Sequence, residues 1–437
     1  MRRQQLITIG LYLMSVFFSN EMFGVTSPEK ILHQFLGNAD GCQPYGGLVF
    51  DTSGSLYGTT AQGGSNGAGT VFEMTPTQNG WNYNVLYSFQ NTGGDGVGPF
   101  GSLAFDTAGN LYGTTLNGGA FGQGTVFQLS PSGGGEWTES ILYSFGAQEG
   151  DGSGAISSVV FDAAGSLYGV TEAGGIAANQ CPSNGCGTVF QLSPTPSGLW
   201  TETVLYRFQG GSDGAQPQGG VTLDAAGNLY GTTVFGGESA QCKNPYPGCG
   251  TVFEVSPSQR GWIETIAYSF QGKHDGAFPY ANVILDSAGN LYSTARGGGA
   301  YGLSPCEDVY LGGCGVVFEL SPNQQGSWTY TSLHLFRGRT NGSIDGGVPL
   351  AGLVLDNSGR VYGTTLTGGF ANLGTVYRLT AGQDGKWTEE RFAFPNQAHG
   401  NSPTASVTLD VAGNVYGTTE NGDQVRCGVV FQLIPPE

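Results

Sequence analysis

The sequence predicts an all-β protein, a seven-bladed β-propeller built from four-stranded antiparallel blades. Three observations support this. A seven-residue motif, GNLYGTT at residues 109–115, recurs seven times with small changes; the chain consists of short strand-like runs without helical periodicity; and the number of strands is the number needed to close a ring. A repeat of this length indicates a repeat architecture. The motif's tyrosines, 54 to 70 residues apart, are Tyr57, Tyr112, Tyr168, Tyr230, Tyr292, Tyr362 and Tyr416.

The second copy illustrates the four strands expected in each blade. Residues 102–106 read as a first strand, 111–115 as a second, 124–129 as a third and 137–145 as a fourth. Each run is rich in β-branched and aromatic residues and is bounded by Gly, Pro, Asn or Asp, which is typical of strands separated by turns.

The last blade is expected to be closed by the N-terminal strand. Seven first, second and third strands are followed by only six fourth strands, which begin at Trp81, Trp137, Trp200, Trp262, Trp328 and Trp387. Residues 31–35 match the end of a fourth strand, and we expect them to pair with residues 429–433. Such closure removes exposed sheet edges, whereas an open stack would leave residues 31–35 unpaired.

The start of the chain resembles a secretory signal. Arg2 and Arg3 precede a mostly apolar stretch from Leu6 to Phe18, which is short for a membrane span. We therefore expect a signal peptide over residues 1–25 and one propeller domain over residues 26–437. An uncleaved N-terminal anchor is the alternative. The expected location is extracytoplasmic, either secreted or periplasmic.

Composition limits the classes of partner. The formal net charge is −18, which argues against nucleic acid and against anionic membrane surfaces. We expect no membrane association after processing, and we expect a monomer. No cofactor is predicted, and structural calcium is left open.

Two series of aspartates belong to the repeat. The first ends the first strands and is interpreted as a set of side chains that bond their own turns: Asp51, Asp106, Asp162, Asp224, Asp286, Asp356 and Asp410. The second series lies in Asp-Gly sequences between blades. These residues are interpreted as turn residues, with a ring of carboxylates that binds cations as the alternative: Asp40, Asp95, Asp151, Asp213, Asp275 and Asp345, with His399 at the seventh position.

Eight cysteines behind a signal sequence predict disulfides. Three pairs each lie within one loop: Cys181–Cys186, Cys242–Cys249 and Cys306–Cys314. Cys427 lies directly before the last third strand and Cys42 directly after the N-terminal strand, so the Cys42–Cys427 disulfide is expected to clamp the ring. No metal site is predicted, because there is no CxxC pair and the histidines do not cluster with the cysteines.

Candidate functional residues fall on one face. The loops between the second and third strands lengthen in blades 3, 4 and 5, where disulfides pin them into a wall. The residue after the motif is charged in three blades, at Glu172, Arg296 and Glu420. These side chains, with His274 and His399, are candidate catalytic groups if the position faces the central cavity; solvated loop charges are the alternative. Candidate ligand-stacking aromatics in the wall are Phe235, Tyr246, Tyr301 and Tyr310.

The chain resembles the bacterial choice-of-anchor tandem repeat GloVer-containing proteins. The resemblance rests on segments such as residues 227–233 (GNLYGTT) and 124–131 (GTVFQLSP), and it covers residues 31–435. It implies an exported bacterial protein that is often anchored through a C-terminal sorting segment. This chain ends at Pro435-Pro436-Glu437 without a hydrophobic tail, so we expect a released or periplasmic protein. The resemblance supplies no catalytic residues.

Three functions remain open from the sequence. The leading hypothesis is a binding module for an extracellular ligand, with a carbohydrate as the favoured class, on the face with the blade 3–5 wall. The second is a polysaccharide lyase or glycoside hydrolase that uses the charged residues on that face. The third is a scaffold for protein partners.

Overall fold

A computed structural model of the protein describes residues 29–175, 180–243, 247–300, 306, 312–324, 326–339, 344–422 and 425–436. The expected signal peptide lies outside these residues. The described chain forms seven four-stranded antiparallel sheets, which confirms the predicted seven-bladed propeller. Two 3-10 turns, Asn38–Asp40 and Gln397–His399, are the only helical elements within these ranges.

The strands occur in the predicted order in every blade. The first strands are Val49–Phe50, Ala104–Phe105, Val160–Phe161, Val221–Leu223, Ile284–Leu285, Val354–Leu355 and Thr408–Leu409. The second strands are Leu56–Thr60, Leu111–Thr115, Leu167–Thr171, Leu229–Thr233, Leu291–Ala295, Val361–Thr365 and Val415–Thr419.

The third and fourth strands lie at the outer side and form hairpins in blades 1 to 6. The third strands are Thr70–Thr77, Thr125–Gly133, Thr188–Pro194, Thr251–Ser258, Val316–Pro322, Thr375–Ala381 and Val429–Leu433. The fourth strands are Gly80–Ser88, Glu136–Ser144, Trp200–Arg207, Gly261–Ser269, Trp328–Leu335, Trp387–Ala393 and, for blade 7, Lys30–Gln34.

Four consecutive residues of the motif have distinct roles, which explains why they recur. In blade 2, Leu111 is fully buried, and Tyr112 donates to Asp106 Oδ2 at 3.1 Å. A Cβ on Gly113 would lie 2.6 Å from the ring of Phe127. Thr114 bonds a backbone carbonyl of blade 3. The motif therefore specifies the core, the turn and the contact with the next blade.

The same tyrosines tie adjacent blades together. Tyr57 lies edge-on to Trp137 of the next blade, with ring centroids 6.3 Å apart, and the same pairing occurs at four other blade boundaries. The core consists of apolar clusters between neighbouring sheets. The turn aspartates accept two backbone amides each, as Asp106 does from Ala108 and Asn110, which agrees with the turn interpretation of the first series.

The ring closes as predicted. Lys30–Gln34 pairs antiparallel with Val429–Leu433, with Ile31 opposite Phe431. Cys42 is bonded to Cys427, and the other cysteines form the three pairs expected within loops. Thr418 also bonds the carbonyl of Pro44 across the closure. Sheet pairing, a disulfide and a hydrogen bond thus join the two ends of the ring.

Three two-stranded ladders connect the loops between blades with the loops between second and third strands. They pair Gly96–Val97 with Asn117–Gly118, Gly152–Ser153 with Ala173–Gly174, and Gly346–Gly347 with Thr367–Gly368. Both sets of loops therefore lie on one face, which we call the upper face.

The first strands are shorter than expected: residues 102–106 reduce to Ala104–Phe105. The residues before this strand approach the propeller axis, where their carbonyls accept side-chain bonds from the neighbouring blade. Thr59, for example, donates to the carbonyl of Gly101. These carbonyls satisfy their hydrogen-bonding requirement outside the sheet.

Candidate functional site

One residue from each blade lines a cavity at the propeller axis on the upper face. We call this site the central funnel. Its seven residues precede the first strands at equivalent positions, and all are partly exposed: Tyr45, Phe100, Ile156, Gln218, Tyr280, Leu350 and Thr404. The cavity has a volume of about 120 Å³. All seven blades therefore contribute to a single narrow site.

The residues that follow the funnel positions are small because the seven segments converge. A Cβ on Gly46 would lie 2.6 Å from the carbonyl oxygen of Gly101, and one on Gly219 would lie 2.2 Å from the backbone of Ala281. Side chains would push the blades apart. Close approach at the axis thus explains the Gly, Ala and Ser residues there.

A backbone kink directs each funnel residue. The residue two positions earlier has a positive φ in every blade, although most of these residues are not glycine: Gln43, Gly98, Gly154, Gln216, Phe278, Val348 and Ser402. For a β-branched residue such as Val348, with φ of 60°, this conformation is unfavourable. The surrounding structure must hold the backbone in this strained conformation. Backbone strain of this kind is common at functional sites, where it positions side chains.

The three charged residues predicted at the central cavity all contact funnel residues. Glu172 Oε2 accepts a hydrogen bond from Gln218 Nε2 at 3.0 Å, and Glu420 Oε1 accepts one from the hydroxyl of Tyr45 at 3.0 Å. The Arg296 guanidinium carbon lies 5.4 Å from the centroid of the Tyr280 ring, within cation–π range.

These charged side chains are held by the same backbone bond in each blade. The amide of Glu172 donates to the carbonyl of Gly154, and that of Glu420 donates to Ser402. The acceptor in each case is the positive-φ residue. The bond therefore fixes Glu172 and Glu420 to the kink of their own blade, from which their side chains reach the funnel residue of the next blade.

Burial alters the acidity of two groups at the funnel. It raises the pKa of Glu172, while the hydrogen bond from Gln218 acts in the opposite direction. It also raises the pKa of Tyr45, as does the adjacent Glu420 carboxylate. Tyr45 therefore remains a hydrogen-bond donor at any physiological pH, with Glu420 as its acceptor.

The funnel also holds an aromatic pair that the sequence analysis did not identify. Tyr45 and Phe100 stack with ring centroids 4.9 Å apart and an interplanar angle of 20°. Tyr280 is a third aromatic residue at an equivalent position. The sequence did hold a signal for these three aromatic residues. Each directly follows the proline that ends an Asp-Gly-x-x-Pro sequence of the second aspartate series.

The predicted wall aromatics have a different placement. Phe235 is 8% exposed and packs edge-on against Phe278, with centroids 5.7 Å apart, so its ring belongs to the loop core. Tyr246, Tyr301 and Tyr310 lie outside the described residues. The three wall disulfides are present.

The two candidate histidines contact groups other than the funnel residues. His274 Nδ1 lies 3.1 Å from the carbonyl oxygen of Gly299. His399 Nδ1 lies 3.3 Å from Glu29 Oε2, next to the outermost strand of blade 7. The structure therefore groups Glu172, Arg296 and Glu420 around the funnel and gives both histidines separate partners.

The aspartates of the second series accept backbone amides between blades. Asp151, for example, accepts hydrogen bonds from the amides of Gly146, Ala147 and Gly152, and from the hydroxyl of Tyr143. This geometry supports the turn interpretation of the series.

A family model described as the Gloeobacter/Verrucomicrobia repeat matches residues 14–243, 177–344 and 243–437. No curated protein matches the chain in sequence.

The described residues contain no helix long and apolar enough to cross a membrane. Four disulfides are characteristic of proteins in oxidising compartments.

Solved structures share the fold at low identity. A protein from Lactobacillus plantarum is 15% identical with a TM-score of 0.51, covering 84% of this chain and 89% of its own. An ancestral GH74 enzyme is 11% identical with a TM-score of 0.53, covering 91% and 49%. A candidate 6-phosphogluconolactonase from Bacteroides uniformis is 13% identical with a TM-score of 0.50, covering 84% and 89%. These similarities support the fold alone.

Proposed function

The chain belongs to the Gloeobacter/Verrucomicrobia repeat family, and from this premise we propose that it is a secreted or periplasmic propeller that binds carbohydrate at the mouth of the central funnel. The observation that carries the proposal is the stacked pair Tyr45 and Phe100 beside the Glu420 carboxylate. A sugar presents an apolar ring face together with hydroxyl groups, and this combination of aromatic surface and fixed acceptor complements both.

Polar groups on the other side of the funnel extend the complementarity. In a ring of seven blades, blade 5, with Arg296 and Tyr280, lies opposite the boundary between blades 1 and 2, where Tyr45 and Phe100 stack. Glu172 and Gln218 lie between them on blades 3 and 4. A ligand across the mouth would meet aromatic rings on one side and hydrogen-bonding groups on the other.

The funnel dimensions favour surface binding over engulfment. Its volume of about 120 Å³ is below the ~300 Å³ at which small-molecule pockets usually begin. A pyranose ring would therefore rest on the mouth and leave the rest of a chain outside. The net charge of −18 repels polyanions, so we expect a neutral glycan.

A glycoside hydrolase or lyase is the second candidate. The raised pKa of Glu172 suits a group that donates a proton, and Glu420 would supply the second carboxylate. The two residues come from blades 3 and 7, which are three blade positions apart, so their cooperation would require a ligand that spans the funnel.

One experiment separates these candidates. The purified mature protein would be incubated with a panel of neutral and uronic-acid polysaccharides, and both retention and released oligosaccharides would be measured. Retention of a neutral glycan without products supports the proposal. Products that disappear in Glu172→Gln or Glu420→Gln would replace it with the enzyme. Neither retention nor products would refute both and direct attention to protein partners.

A further inference from the structure

A three-residue arrangement recurs at the boundaries between blades. A side chain near the end of a fourth strand meets the aspartate of the following loop and a side chain from the next blade's fourth strand. The six sets are Tyr87, Asp95 and Glu139; Tyr143, Asp151 and Glu202; Tyr206, Asp213 and Glu264; Tyr268, Asp275 and Tyr330; His334, Asp345 and Glu389; and His33, Asp40 and Tyr83.

The boundary between blades 5 and 6 differs from the others in its chemistry. Among the described residues, only there does an imidazole meet both an aspartate and a glutamate of this arrangement. At the blade 7–1 boundary the imidazole of His33 is instead stacked on Tyr83, with ring centroids 3.7 Å apart. Between blades 6 and 7, His399 stands in place of the aspartate and pairs with Glu29.

The spacing of the three donor groups suits a metal ion better than direct hydrogen bonds. His334 Nε2 lies 3.6 Å from Asp345 Oδ1 and 3.7 Å from Glu389 Oε2, and the three donor atoms lie within 4.8 Å of one another. Zinc bonds to nitrogen and oxygen are about 2.0–2.2 Å long, so neighbouring ligands in a tetrahedron lie about 3.3–3.6 Å apart.

A second observation distinguishes this boundary. Glu389, with a side chain only 7% exposed, has a buried Oε1 atom without a hydrogen-bond partner. The same holds at three other boundaries, for Glu139, Glu202 and Glu264. Among the described residues at these four boundaries, only here is a buried imidazole nitrogen, His334 Nε2, also without one. Burial of an unsatisfied carboxylate oxygen is costly. Glu389, His334 and Asp345 line a cavity of about 400 Å³. The cavity leaves room for a fourth ligand such as water.

Arg391 competes for the same oxygens. Its NH1 atom lies 3.4 Å from Asp345 Oδ1 and 3.2 Å from Glu389 Oε2. The side chain is 33% exposed and can rotate towards solvent. The blade 2 residue opposite the equivalent third-strand position is Ile141, so an aliphatic residue is compatible with this place in a blade.

We propose that His334, Asp345 and Glu389 form a binding site for a divalent transition-metal ion, with zinc the best fit to one imidazole and two carboxylates. The three ligands leave one coordination position open to water or to an external group. Arg391 moves aside when the ion binds, so it weakens the affinity.

The test uses the untagged full chain after EDTA treatment and dialysis. Zinc binding is measured by calorimetry, and cobalt is added separately for its visible absorption spectrum. We expect about one zinc per chain and the intense cobalt bands of a four-coordinate site. His334→Tyr is the matched variant, because tyrosine occupies this position in four other blades and preserves the repeat.

The variants give opposite predictions. His334→Tyr and Glu389→Gln should each weaken zinc binding by at least about 10-fold, whereas Arg391→Leu should tighten it. Absence of zinc binding in the wild type would overturn the proposal. Unchanged binding in a correctly folded His334→Tyr protein would also overturn it, because the ion would then lie elsewhere.

Discussion

Gln218 Nε2 donates a hydrogen bond to Glu172 Oε2 across the boundary between blades 3 and 4. The contact links a funnel residue to a charged residue that follows the repeated motif. It opposes the effect of burial on the acidity of Glu172.

We predict that Gln218→Leu raises the pKa of Glu172 further. The donor stabilises the ionised carboxylate, so its removal favours the protonated form. The measurement is a pH titration of the Glu172 side-chain carboxyl by NMR. Gln128→Leu is the control, because Gln128 makes a similar bond to Tyr112 within blade 2. An unchanged or lower pKa in Gln218→Leu would contradict the assignment.

We predict that the ring-closing disulfide contributes more to stability than the loop disulfides. Cys42 and Cys427 are separated by 385 residues, for which the chain-entropy model gives about 6 kcal/mol. Cys181 and Cys186 are separated by 5, for which it gives about 2 kcal/mol. Urea unfolding of the two double-alanine variants compares them. Equal losses would show that the closure is held mainly by sheet pairing.

We predict that stability falls between pH 5 and pH 8. Burial and the adjacent Asp213 raise the pKa of Glu264 to about 8. Burial is also the main cause that raises the pKa values of Glu139 and Glu202 to about 7. The folded state therefore binds more protons than the unfolded state in this window. The stabilisation is complete below the unfolded pKa of 4.5 and is lost as pH rises through the folded value.

Thermal unfolding across this range tests the pH prediction. Glu264→Gln should be more stable than the wild type at pH 8, since it removes the penalty for ionising a buried carboxyl; one pKa unit corresponds to about 1.4 kcal/mol. The exposed Glu136→Gln serves as control and should change nothing. A wild-type protein that is more stable at pH 8 than at pH 5 would reverse the predicted sign.

The fold was predictable because the motif's contacts are local or join adjacent blades. Tyr112 reaches Asp106 six residues away, and Leu111 packs in the apolar cluster between blades 1 and 2. The fourth strand of blade 7 could also be predicted, because residues 31–35 match the ends of the other six fourth strands. Cys42 and Cys427 followed from their places in the repeat.

The funnel was only partly predictable. Its charged residues could be found as irregularities in an aligned position, but Tyr45 and Phe100 come together only when blades 1 and 2 meet at the axis. Likewise, Glu389 approaches His334 only across a blade boundary. The aromatic character of Phe235 suggested ligand contact, whereas its ring is buried against Phe278, a packing that no local pattern indicates.

The most direct test of the carbohydrate proposal is the affinity of Tyr45→Ala and Phe100→Ala for the best-retained neutral glycan. Phe370→Ala is the matched control, because Phe370 is an aromatic residue 60% exposed in a blade 6 loop outside the funnel. Loss of an aromatic stacking contact should weaken binding by roughly 1 kcal/mol or more, or about 5-fold. We predict weaker binding for the funnel variants and wild-type binding for the control. Equal affinities in all three variants would place the ligand elsewhere and contradict the proposal.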